Sequence, residues 1–221
     1  DSTFALANYR LSILVGAVGA GDWTEIIENG ERALRHASRL SERDRLLLLA
    51  HMSSLKEDVG SAEQQYRAIV ARFPDELEAW YRLAELIFHQ NPLTGRSIVD
   101  AREPFEHLLT LDPGNRAALQ HLMWIAAVEK RNGAIDTLYR RIVARGLTPT
   151  AEMEARALWA FTSGSVAERE KFFADFALTP AAGTWVLSAF VGDMDATKRL
   201  VQIRASKANS AASWRNAHLT L

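Results

Sequence analysis

Residues 62–113 read AEQQYRAIVARFPDELEAWYRLAELIFHQNPLTGRSIVDAREPFEHLLTLDP, and the fold is decided there. At the centre lies Trp80-x-x-Leu83-Ala84-x-x-Ile87, whose large and small apolar residues recur at the three- and four-residue spacing of one helix face. Leu46-x-x-Leu49-Ala50 has the same form 34 residues earlier (46 to 80), and Leu119-x-x-Leu122 has it 39 residues later (80 to 119). A second set follows each first one. It runs Ala62-x-x-x-Tyr66, Ala101-x-x-x-Phe105 and Ile135-x-x-x-Tyr139, with steps of 39 (66 to 105) and 34 (105 to 139). Pro74 and Pro113 close two of the units and are again 39 apart. Two helices therefore share a 34-residue period, and five extra residues enter the third unit within residues 89–97, HQNPLTGRS, a loop by composition.

Outward from this stretch the pattern stays helical. Strict alternation is rare, and runs rich in Val, Ile and Thr are missing. Start signals come often: Ser41 before Asp44, Ser61 before Gln64, Asp75 before Glu78 and Ser165 before Glu168 each pair a capping residue with an acid or amide three positions on. Thr148-Pro149 and Thr179-Pro180 put proline where a first helical turn tolerates it. The segments between these signals predict helices of roughly 12–17 residues joined by short polar links, as in helical hairpins.

Composition narrows the function. Of 221 residues, 48% are hydrophobic and 24% charged, too apolar for a disordered chain and enough for a packed core. The absence of cysteine excludes disulfides, zinc-thiolate sites, iron–sulfur clusters and thiol nucleophiles. A net charge of −1 gives no general attraction to nucleic acid. The longest apolar stretch, LSILVGAVGAG at residues 11–21, is about half of what a membrane-spanning helix needs. The start at Asp1 and the stop at Leu221 in mid-pattern suggest a piece of a longer chain.

The period and its large and small positions resemble the tetratricopeptide repeat, a helix–turn–helix unit of 34 residues. The match is good over residues 42–146; residues 1–38 fit as one further unit, and residues 150–221 keep the rhythm of helical pairs but lose the signature positions. One departure lies in the fourth unit, where Met123 stands at the small-residue position held by Ala50 and Ala84. The expected fold is all-α, a right-handed α-solenoid of about six antiparallel helix hairpins. Residues 1–146 would hold about four repeats, and residues 147–221 degenerate pairs continuous with them. DSTFALANYRL, SERDRLLLLAH and the stretch quoted above also resemble the repeat region of some bacterial serine/threonine protein kinases and related signalling regulators. That resemblance implies a sensor or docking region rather than a catalyst.

Motifs that would carry chemistry read better as structure. Gly16-Ala17-Val18-Gly19-Ala20-Gly21 has neither dinucleotide-binding nor Walker spacing, and reads as a helix end before Asp22-Trp23. His36, His51, His89, His107, His121 and His218 form no HExxH pattern. The carboxylates Glu25, Glu28, Glu31, Glu76, Glu78 and Glu85 read as solvated helix faces, and no nucleophile-elbow serine is present. No catalytic residue, cofactor or metal is expected. Lys198, Arg199, Arg204, Lys207 and Arg215, with Trp214 among them, form a basic C-terminal stretch that reads as a solvated face.

The family resemblance implies a concave groove that holds a peptide. Its positions fall on Tyr9 in the first unit, Leu47 and His51 in the second, Glu78, Tyr81, Glu85, Phe88 and His89 in the third, and Gln120 and Trp124 in the fourth. Tyr81, Phe88 and Trp124 would be the aromatic anchors, with Glu85, His89 and Gln120 selecting polar groups. The Lys/Asn set with which related repeats clamp a peptide carboxylate is missing, so a chaperone tail is not the expected ligand. The expected function is non-enzymatic protein or peptide binding. The alternative is self-association that dimerises an attached enzyme, with Trp159, Phe172, Trp185 and Phe190 as its surface. A cytoplasmic location is expected, with a periplasmic one left open.

Overall fold

A computed structural model of the chain describes residues 3–18, 22–146, 148–178 and 185–207. Among them there is no strand. Eleven α-helices are described: α1 Ala5–Val18, α2 Trp23–Arg35, α3 Glu42–Leu55, α4 Val59–Arg72, α5 Leu77–Gln90, α6 Arg102–Leu111, α7 Arg116–Val128, α8 Asn132–Arg145, α9 Pro149–Thr162, α10 Val166–Leu178 and α11 Met194–Lys207. Helices adjacent in sequence pack together as pairs, and the chain divides into two compact units, residues 1–111 and 112–221.

The helix starts follow their caps. Ser41 Oγ accepts the N–H of Asp44 at 3.1 Å, Thr148 precedes Pro149 at the head of α9, and Ser165 and Glu168 bond reciprocally at the head of α10. Two starts differ from expectation. α4 begins at Val59 rather than beyond Ser61, because Asp58 lies three residues before Ser61 and accepts its N–H at 3.1 Å. α5 is capped by Glu76, one residue later than Asp75. Thr179-Pro180 lies outside the described residues.

In unit 1 the pairs are α1 with α2, α3 with α4, and α5 with α6. Ala50, Ala62, Ala84 and Ala101 are all fully buried, as expected for residues that let helix axes approach. Gly30 of α2 lies at a similar approach: a Cβ there would come within 2.2 Å of Met52 Sδ, so that the Met52 side chain would have to shift. Trp80, Leu83, Phe105 and Leu108 fill the third pair, with Trp80 stacked on His107 at 4.0 Å. Burying each such side chain contributes about 1.5–3 kcal/mol.

The turn of the second pair closes on Glu57, a non-glycine residue at φ 58°. The N–H groups of Glu57 and Asp58 return to the carbonyls of Ser54 and Ser53, a left-handed helix stop. The third pair carries the insertion at the matching place. Its residues form two short 3₁₀ turns, Pro92–Thr94 and Ile98–Ala101, rather than an open loop. Fully buried Asn91 pins them, its Nδ2 donating to the carbonyl of Ser97 at 2.9 Å and to Asp100 Oδ2 at 3.0 Å.

In unit 2, α7 pairs with α8 and α9 with α10, and α7 also touches α9. The α7–α8 turn repeats the stop seen in unit 1, with Lys130 at φ 57°. Met123 is buried where the repeat has alanine. Phe161, Phe172, Phe173 and Phe176 form a buried aromatic core. A single turn of π-helix, Leu187–Val191, follows, ends at left-handed Gly192 and packs on α7, α9 and α11.

Candidate functional site

In unit 1 the inner positions lie on α1, α3 and α5. Tyr9 is buried, and its hydroxyl donates to Glu78 Oε1 at 2.5 Å. Arg10 pairs with the other oxygen of Glu78 and reaches Asp44 at 3.7 Å. Burial and the neighbouring Glu78 raise the pKa of the Tyr9 phenol well above the usual tyrosine range. The Tyr9 ring meets His51 edge-on at 5.7 Å. Ser12 spends its hydroxyl proton on the carbonyl of Ile26 at 2.7 Å, so His51 Nε2, 3.0 Å from Ser12 Oγ, is the protonated ring nitrogen. Burial, aided by the charge of Arg82, lowers the His51 pKa to about 4, which keeps the ring neutral. Leu47 is in the core, and Phe88 is buried with its ring edge-on to Phe105 at 6.4 Å.

The remaining expected residues of unit 1 are accessible and share one stripe of α5. Glu78, Tyr81 and Glu85 are half-buried, and His89 is exposed with Nε2 3.5 Å from Glu85 Oε2. Burial and Glu85 raise the pKa of Tyr81. Arg82 belongs to the same stripe, and the sequence reading passed over it. Its position four residues after Glu78 and three before Glu85 was the available signal. Its guanidinium lies 5.7 Å from the Tyr81 ring, and its buried Nε has no hydrogen-bond partner among the described residues.

In unit 2, Gln120 binds Glu154 of α9, and Trp185 connects that carboxylate to Trp124. Glu154 is buried; Gln120 Nε2 donates to its Oε2 at 2.8 Å and Trp185 Nε1 to its Oε1 at 3.3 Å. Burial raises the Glu154 pKa against the opposing pull of those two donors. Trp124 is buried beneath Phe190, whose ring stacks on it at 5.4 Å and 5°, while Trp185 meets it edge-on at 5.3 Å. Both carboxylates, half-buried Glu78 and buried Glu154, are thus anchors for neighbouring side chains: Glu78 for Tyr9 and Arg10, Glu154 for Gln120 and Trp185.

Of the side chains expected on an association surface, Phe172 is instead in the core, because α10 turns it toward Phe161 and Phe176. Trp159 is half-buried and stacked on Tyr139 at 4.8 Å. Within the basic stretch Arg199 is paired through both nitrogens with Glu170, and Lys198 lies 3.5 Å from Asp195. The Lys207 side chain, Trp214, Arg215 and His218 lie outside the described residues. So do Gly19, Ala20 and Gly21, between the end of α1 and Asp22, which caps α2. No described helix is long and apolar enough to cross a membrane.

The chain is similar in structure to a thermophilic TPR protein of Thermus thermophilus, with a TM-score of 0.56 and 18% identity over 90% of this chain and 98% of that one. This likeness gives the fold: an all-α tetratricopeptide-type helical repeat. No protein-family model matches the chain, and no curated protein sequence matches it.

Proposed function

We propose that the chain is a non-enzymatic peptide-binding module, the sensor or scaffold region of a larger bacterial signalling protein working in the cytoplasm, and that its partner docks along α5. One observation carries this reading. Tyr81, Arg82, Glu85 and His89 remain accessible on one stripe of α5, while Trp80, Leu83, Ala84, Ile87 and Phe88 are buried. Tyr81 offers a large ring already ordered by its helix, so little side-chain freedom is lost on binding. The half-buried Arg82 guanidinium beside the Tyr81 ring supplies a cationic group for a peptide carbonyl or carboxylate, and Glu85 and His89 select the flanking polar groups. Phe88 supports this stripe from beneath, and Tyr9, Arg10 and Glu78 fix its first turn.

The test is affinity capture from a lysate of the source organism, with wild-type chain and Tyr81→Ala as baits and circular dichroism as a check on helicity. A partner protein recovered at least tenfold better by wild type supports the docking stripe. Equal recovery overturns it. Recovery of the chain alone moves the assignment to self-association, for which the exposed Phe4, Leu11 and Leu14 beside and on α1 supply an apolar surface.

A further inference from the structure

We propose that the seat formed by Trp124, Gln120 and Glu154 is a second peptide-recognition site, held closed by Trp185 and Phe190, and that its ligand carries a cationic donor for Glu154 and an aromatic ring for Trp124. This goes beyond the docking stripe of α5 and rests on unit 2 alone.

The two closing side chains already act as a ligand would. Phe190 lies flat on the Trp124 indole, and Trp185 covers its edge while donating to Glu154. Yet they are lightly held. Trp185 is 44% exposed, Phe190 is half-buried, and the bond from Trp185 to Glu154, at 3.3 Å, is long for N–H to O. Val186 and Leu187 beside them are completely buried. Opening therefore means turning two side chains out while the backbone stays anchored. Phe190 lies in the single turn of π-helix, Leu187–Val191, a rare geometry that is frequent at functional sites.

The chemistry of the seat names the ligand. Glu154 is buried, and its two oxygens are held by neutral donors from Gln120 and Trp185. A cationic donor makes a shorter and stronger bond to a carboxylate than an indole N–H does. An arginine or lysine thus outcompetes Trp185 for Oε1, provided that an aromatic side chain of the same peptide replaces Phe190 on Trp124. The chain's own spacing, residue 185 to residue 190, sets the donor five positions before the ring.

The probe is a fluorescein-labelled peptide of residues 185–192 carrying Trp185→Arg, followed by anisotropy. The receptors are the full chain and its Trp185→Ala/Phe190→Ala variant. The opened variant is expected to bind at least tenfold tighter than wild type. Adding Glu154→Gln to it should weaken binding at least fivefold, and so should Phe190→Ala in the peptide. No gain on opening, or no loss with Glu154→Gln, overturns the proposal. Should the double variant lose helicity, Trp185→Ala alone carries the test, with a gain of at least threefold expected and no gain overturning it. Tyr81→Ala is expected to leave this binding unchanged, so the α5 reading and this one fail separately.

Discussion

In unit 1 the carboxylate of Glu78 is held by the Tyr9 hydroxyl and the Arg10 guanidinium, whereas in unit 2 the buried carboxylate of Glu154 is held, among the described residues, by the neutral donors of Gln120 and Trp185. The inner aromatics differ accordingly. Tyr9 is locked within unit 1 and leaves the α5 stripe open, while Trp124 sits under two aromatic side chains from a later segment. One repeat plan thus gives a polar face fixed by charge and an aromatic face closed by stacking. The first kind leaves the proposed docking stripe of α5 at the surface. The second is covered by its own side chains, and it is the one proposed to open.

Acid should separate the two units most. The His51 pKa is about 4 in the folded chain against 6.5 unfolded, so the unfolded state binds its proton first as pH falls. The stability held by neutral His51 is complete above pH 6.5 and lost toward pH 4, a change of about 3 kcal/mol. Glu154 has the opposite sign. Its raised pKa makes unit 2 most stable where the carboxyl is protonated, and that stability falls as pH rises through the raised value. Hydrogen exchange at pH 7 and pH 4.5, corrected for intrinsic rates, should show protection falling in α1 and α3 and rising in α7 and α9. A shift of the same sign in all four helices would break the comparison.

Tyr9→Phe probes the charged side of the contrast. It removes a hydrogen bond to a carboxylate without changing shape, and should destabilise the chain by about 1.5–2 kcal/mol in urea unfolding. A loss below about 0.5 kcal/mol would mean that Arg10 alone holds Glu78. Trp185→Ala probes the stacked side and should have the smallest effect, about 1 kcal/mol in thermal melting, since the indole is half exposed and its bond is long. A loss of about 3 kcal/mol or more would make Trp185 a core residue rather than a closing one.

The hairpins were legible because their signals are local. Ser41, Thr148 and Ser165 cap within three residues of themselves, and the 34-residue period places Trp80, Leu83 and Phe105 in a core with no long-range knowledge. The candidate site was legible only as a set of positions. Tyr9 and Trp124 are both inner positions of the repeat, yet what covers each is decided far along the chain, by Glu78 at a separation of 69 residues and by Phe190 (124 to 190). No local pattern reports either contact. Arg82 was missed for another reason: on an amphipathic helix an arginine between two glutamates looks like a solvated surface charge, and only the packing shows its Nε buried.

The left-handed turns at Glu57 and Lys130 occupy matching places in two hairpins, and the extra residues of the third hairpin begin at Asn91, the position in step with them. Loop closure grows only slowly more costly with length, and a turn at the tip of a hairpin changes no helix phase. This corner is therefore where such a repeat can vary in length over evolution while both helices keep their register. The insertion acquired its own anchor in Asn91, so a lineage that loses that amide, or a designer who trims residues 92–96, meets selection on one side chain rather than on the whole repeat.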